Sequence, residues 1–165
     1  MSAKRGIEVL NYQFPDSALT LRQGIKELRD FEGPQGDASI QMGAENDHVM
    51  KAHDAVHVVF GCSTSIEDEV IAHLAMLLGT DVKLSDIRKV AKAKEHKQVI
   101  RGHSGLKIFA VVAMSVLDLY AVYRLKRQMK KRWPWHGYAA HLDRSIEEIR
   151  EEFGIHPIRR SARFG

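Results

Sequence analysis

The sequence predicts an all-α protein, a single-domain bundle of about six helices around a central antiparallel helix hairpin. Three observations lead there. Apolar residues recur at spacings of three and four over most of the 165 residues. No stretch alternates apolar and polar residues as a half-buried strand does. Gly and Pro divide the chain into pieces of helix length. Hydrophobic content of 44% and charged content of 28% are those of a globular domain. Residues 1–165 are long enough to bury a real core as one domain.

Taken in order, residues 1–15 read as an N-terminal arm, irregular or briefly extended, ending at Phe14-Pro15. Asp16 or Ser17 caps a first helix running to Phe31, with Leu21, Ile25, Leu28 and Phe31 as its apolar stripe. Gly24 lies inside it, at some cost in helix propensity. Residues 32–45 hold Gly33, Pro34, Gly36 and Gly43 and form a loop. Asn46 caps the second helix, which runs to Phe60 and carries Val49, Val56 and Val59. The third helix starts at Thr64 or Ser65, with Thr64-x-x-Glu67 as a capping box, and Gly79 stops it.

Ser85 caps a fourth, basic helix to Val99, broken beyond by Gly102 and Gly105. The fifth, from Leu106 to Met129, is the most apolar, but Asp118 interrupts a run too short to span a bilayer. It reads as a core helix, ended by Trp133-Pro134-Trp135. Asp143 or Ser145 opens the sixth, with Ile146, Ile149 and Phe153 on one face and Gly154 and Pro157 beyond.

The chemistry gathers in the second and third helices. His53 and His57 are one helical turn apart, so both imidazoles leave the same face. The link after Gly61 is short, so the next helix must fold back antiparallel. With the turn centred near position 63, His57 faces Glu69 and His53 faces His73. Two imidazoles and one or two carboxylates then share one cleft, with His73 as an outside candidate for a third imidazole, a donor set suited to one divalent ion: zinc, iron or manganese. Asp54 is a further ligand, or an acceptor that orients an imidazole. The competing reading is a solvated helix face in a chain with nine histidines. Against it, ionisable groups on helices this apolar are costly unless paired or metal-bound.

His53-Asp54-x-x-His57, eleven residues and then Glu69 resembles the His-Asp-x-x-His-(x11)-Glu signature of the coenzyme Q biosynthesis protein four family. Gly61 and Glu69-Val70-Ile71 extend the likeness, and Ser145 to Ile155 is similar to the charged Gly-Ile-ended helix that closes that family. The resemblance covers residues 45–80 and 143–156. It implies His53, Asp54, His57 and Glu69 as metal ligands. It also implies ubiquinone-type quinone biosynthesis: oxidative decarboxylation at ring carbon C1 of a polyprenyl-hydroxybenzoate precursor. Asp54 or Glu69 would shuttle a proton. The same resemblance is compatible with a non-catalytic scaffold that holds prenyl lipid for other quinone-biosynthesis proteins.

Six of the nine residues from Arg124 to Arg132 are Lys or Arg, followed by Trp133 and Trp135. Cations beside indoles fit the headgroup level of an anionic membrane, which a protein handling polyprenyl lipids would meet. The plain alternative is a solvated helix end with cations against its C-terminal dipole. The third and fourth helices have roughly helix-turn-helix proportions. That nucleic-acid reading would bury Glu69 and His73, and Lys89, Lys92, Lys94 and Lys97 read better as a wet face.

A lone Cys62 excludes an internal disulfide framework; it is a small buried side chain in the turn or a thiolate near the metal. His103, His136, His141 and His156 read as surface histidines, His96 beside Glu95 offers nothing distinctive, and His48 can approach the cleft mouth. The N-terminus lacks the apolar core of a secretory signal, so the expected setting is cytoplasmic, or peripheral on the inner face of the cell membrane. Self-association is left open.

Overall fold

The computed structural model describes residues 9–32, 44–92 and 119–158. Its helices are α1 (Leu21–Glu32), α2 (Ala44–Phe60), α3 (Ile66–Gly79), α4 (Leu84–Lys92), α5 (119–128) and α6 (Ile146–Phe153), with 3-10 turns at Asn11–Gln13 and Tyr138–His141. Among the described residues there is no strand; two isolated bridges join Thr20 to Ser145 and Thr80 to Trp133. The molecule is all-α. The 33–43 loop, the expected helical stretches 93–99 and 106–118, and residues 1–8 lie outside the described residues.

One helix organises the rest. α2 packs against α1, α3, α4, α6 and the Asn11–Gln13 turn. From Val49 to Phe60 only Lys51 and Asp54 are not buried. Ala52 and Ala55, both fully buried, let neighbouring elements come close on two sides. α3 is different: Leu77 is 50% exposed, and His73, Leu74 and Leu78 are half-buried. Its apolar sequence suggested a second central helix, but it occupies the flank.

Residues 9–15 of the arm are more tightly held than the sequence suggested. Tyr12 is fully buried and donates from its hydroxyl to the Cys62 carbonyl at 2.7 Å. α1 begins at Leu21 rather than Asp16 or Ser17, because Thr20 and Gln23 form the reciprocal cap: Gln23 N donates to Thr20 Oγ1, and Thr20 N to Gln23 Oε1. Ser17 is instead buried, and its carbonyl accepts from Glu147 N.

α2 ends in a Schellman turn. Gly61 takes φ 76°, Cys62 N donates to His57 O at 2.8 Å, and Gly61 N donates to Val58 O at 3.3 Å. Ser65, not Thr64, caps α3, accepting from Asp68 N. Gly79 is the last helical residue, and Thr80 ends the helix in extended backbone. A Cβ at Gly79 would lie 2.9 Å from Phe60 Cζ, so glycine is required there by close packing. Ser145 caps α6, and Gly154 closes it at φ 69°.

Residues 130–135 strap the bundle. Trp133 N donates to Gly79 O, Asp81 N to Trp133 O, Trp135 N to Asp81 Oδ1, and Lys130 N to Phe153 O. Both indoles are 0% exposed. Trp133 and Trp135 are therefore core residues rather than an exposed aromatic belt, while the neighbouring Lys126, Arg127, Lys130, Lys131 and Arg132 are exposed.

Candidate metal centre

His53 and His57 sit on the most enclosed helix of the fold, at 3% and 2% exposure. Their rings are 4.7 Å apart. Glu69 reaches them from the first turn of α3, with Oε1 3.4 Å from His57 Nε2. Each of the three offers one donor atom, and these atoms lie within 4.8 Å of one another. Both residue pairs expected at equal height are in contact, since His73 also lies with its ring 5.2 Å from that of His53.

The turn fixes which nitrogen of His57 faces the cluster. Its Nδ1 lies 3.1 Å from the Ser63 carbonyl, so Nδ1 carries the hydrogen and Nε2 the lone pair, assigned from the partner. Asp68 secures that carbonyl's backbone by accepting from Ser63 N at 2.8 Å and Ser63 Oγ at 2.6 Å. The cap of α3 and the orientation of His57 are thus one structure. The sequence signal was Ser63-x-Ser65-x-x-Asp68, which a search for ligand spacings passes over.

The donor set fits a divalent cation. Two neutral imidazole nitrogens and a carboxylate oxygen suit zinc, iron or manganese. In a four-coordinate site with bonds of about 2.0–2.1 Å, adjacent ligand atoms stand about 3.3 Å apart. The 3.4 Å between His57 Nε2 and Glu69 Oε1 is that spacing, and it is long for a charge-assisted hydrogen bond.

Asp54 is not among the three residues that gather. Its Oδ2 is held by Arg29, 2.8 Å from Nε and 2.7 Å from Nη2. Burial pushes its carboxyl up from the ordinary range, and the guanidinium pulls it back. Proton transfer by Asp54 would compete with that pairing. Glu69, by contrast, lies among the donors, with Oε2 3.8 Å from His73 Nδ1.

Cys62 is buried in the turn after α2, outside the gathered donors. His48 turns to His136, whose Nδ1 is 3.4 Å from His48 Nε2 and whose Nε2 is 3.0 Å from Asp86 Oδ2. The two rings are parallel, yet their centroids are 5.7 Å apart. With 3.4 Å between the nitrogens, they meet end to end rather than face to face, a linear Asp–His–His chain. His141 packs between Trp133 and Phe153, and His156 is exposed. His96 and His103 lie outside the described residues.

Fold and site together define a class: a helical protein in which two buried histidines of a central helix and a half-buried glutamate of the next helix form a donor cluster. No family model, no curated protein and no solved structure matches the chain.

Proposed function

We propose that this protein binds one divalent metal ion through His53, His57 and Glu69, and uses it in quinone-type biosynthesis on a polyprenylated hydroxybenzoate precursor. The observation that supports the metal is the convergence within 4.8 Å of donor atoms from two buried histidines and a half-buried glutamate. A half-buried carboxylate beside two buried imidazoles is costly to desolvate, and a shared cation offsets that cost. The substrate class comes from the motif resemblance alone. When bound, the ion would supply Lewis-acid polarisation of a substrate carboxylate or phenolate oxygen.

The chain's own groups divide the remaining work. Ser63 holds His57 in the tautomer that presents Nε2. Glu69, with Oε1 3.4 Å from His57 Nε2, offers a carboxylate beside the imidazoles as the group to take up a proton from the substrate. Arg29, fixed by Asp54 and only partly buried, supplies a cation on the α1 side of α2 for an anionic substrate group. A scaffold that holds prenyl lipid without turnover would use the same metal structurally.

Elemental analysis of protein purified without an affinity tag tests the metal. The expected result is near one zinc, iron or manganese per chain in the wild type and none in the His53→Ala/His57→Ala variant. A folded, metal-free wild type sinks the reading. Incubation of the loaded protein with a polyprenyl-hydroxybenzoate, following release of carbon dioxide, separates enzyme from scaffold.

A further inference from the structure

Three protein donors leave the ion a further position, which an open catalytic site gives to water or substrate and a closed site to a fourth protein group; the surroundings decide which protein group is within reach. Four ionisable groups lie close in sequence or space: Asp54, Cys62, Asp68 and His73. Asp68 is committed to Ser63 N and Oγ and to the cap of α3. Cys62 sits in the α2 turn, its carbonyl fixed by Tyr12, outside the gathered donors. Asp54 is turned to Arg29 through two short contacts.

His73 also lies outside the three donors gathered within 4.8 Å, but it is placed differently. It follows Glu69 by one helical turn, so both project from the same face of α3. Its ring lies 5.2 Å from His53, close to the 4.7 Å that separates His53 from His57. Its Nδ1 is 2.7 Å from the Glu69 carbonyl, which places the hydrogen on Nδ1 and the lone pair on Nε2. That repeats the arrangement at His57, where the Ser63 carbonyl does the same. A backbone carbonyl on one ring nitrogen is how a metal-binding imidazole is commonly oriented. At 31% side-chain exposure, His73 stands on the solvent side of a cluster whose other members are more deeply set.

We infer that His73 is the fourth protein ligand of this metal, and that Asp54 stays outside the coordination sphere as the residue that positions Arg29. The inference rests on the metal-binding reading above, and it assigns the ligand set differently from the His-Asp-x-x-His pattern.

The test uses the full-length chain, stripped of metal and titrated with Zn²⁺ and with Co²⁺, whose visible absorption reports ligand number and type. Wild type, His73→Ala, Asp54→Asn and the Arg29→Gln/Asp54→Asn double variant are compared, with circular dichroism and thermal melts confirming the fold. The double variant removes the unpaired Arg29 charge that could unfold the single one. His73→Ala should weaken Zn²⁺ binding by more than about 100-fold, beyond the roughly 10–100-fold that loss of an orienting partner costs. It should also shift the Co²⁺ bands. The Asp54 variants should stay within about tenfold of wild type with the Co²⁺ spectrum unchanged. A wild type that loads normally while His73→Ala matches it, or while the folded double variant loses the metal, overturns this inference and leaves the metal centre standing. A wild type that takes up neither ion overturns both.

Discussion

At the scale of single residues, Arg150 carries more of the fold than any site residue. It is 3% exposed, and its guanidinium donates to four carbonyls: Val59 from Nε, Phe14 from Nη1, and Tyr12 and Val58 from Nη2. Burial pulls its pKa down to about 10, which still leaves it charged at neutral pH. One planar cation therefore closes the carbonyl end of α2, anchors the N-terminal turn and belongs to α6. The planar fork matters, because an ammonium cannot reach acceptors spread around a plane. Arg150→Met should cost about 2 kcal/mol or more, since Val58 O and Phe14 O keep Gly61 N and Ser17 N while Tyr12 O and Val59 O lose their donor, at about 1–3 kcal/mol for each buried carbonyl left without one. Arg150→Lys should recover little of it. Urea denaturation of the three proteins checks this; a Lys variant as stable as wild type would mean the four contacts are not what holds Arg150 in place. In sequence Arg150 was one cation of a charged helix, indistinguishable from its neighbours. Its partners are all backbone atoms, which leave no pattern in the residue types.

At the scale of elements, Gly79 shows how packing overrides local preference. Glycine costs a helix about 1 kcal/mol relative to alanine, so Gly79→Ala should help α3 on propensity alone. A Cβ there meets Phe60 Cζ at 2.9 Å, Phe60 Cε1 at 3.1 Å and Met129 Sδ at 3.3 Å. Phe60 is fully buried and cannot retreat cheaply. Overpacking of this kind costs about 1–3 kcal/mol, so the variant should be less stable than wild type. Phe60→Leu in the Gly79→Ala background should recover part of that loss, and a double-mutant cycle reads the coupling. The helices themselves were largely legible: the ends of α2, α3 and α6 fall within a few residues of where Gly61, Gly79 and Gly154 put them. The start of α1 was misplaced because three polar residues before it could all cap, and tertiary pairing of Leu21 N with Arg144 O favours Thr20. Within the candidate site, the pairs His57–Glu69 and His53–His73 followed from period and loop length alone. The diversion of Asp54 did not, because Arg29 belongs to another helix 25 positions away.

At the scale of the whole molecule, the last third of the chain acts as a fastening. Glu152 on α6 pairs with Lys131 of the strap and Arg144 before α6. Hydrogen bonds from both cations hold its carboxyl down to about 2, below the ordinary 4.5. A depressed folded pKa stabilises fully above the unfolded value and is lost as pH falls through the folded one. The Glu152→Gln melting curve should therefore lie below wild type at neutral pH and converge with it between about pH 4.5 and pH 2. The gap should be small, because the groups are partly solvent-exposed and screened. The same fastening decides what the basic stretch can do. Among the described residues, no helix is long and apolar enough to cross a membrane. The indoles that would mark an interfacial belt lie in the core, Trp133 against Phe153 at 5.1 Å and Trp135 tied by its backbone to Asp81. Lys126, Arg127, Lys130, Lys131 and Arg132 remain exposed beside them. Attraction of those cations to anionic lipid would leave both indoles where they are, and would weaken with salt. Adding phosphatidylserine vesicles should therefore leave the tryptophan emission maximum unchanged, even where co-sedimentation detects binding at low ionic strength. A shift of that maximum on vesicle addition would mean that the strap releases Trp133 from Gly79, and that the core described for this protein opens at a lipid surface.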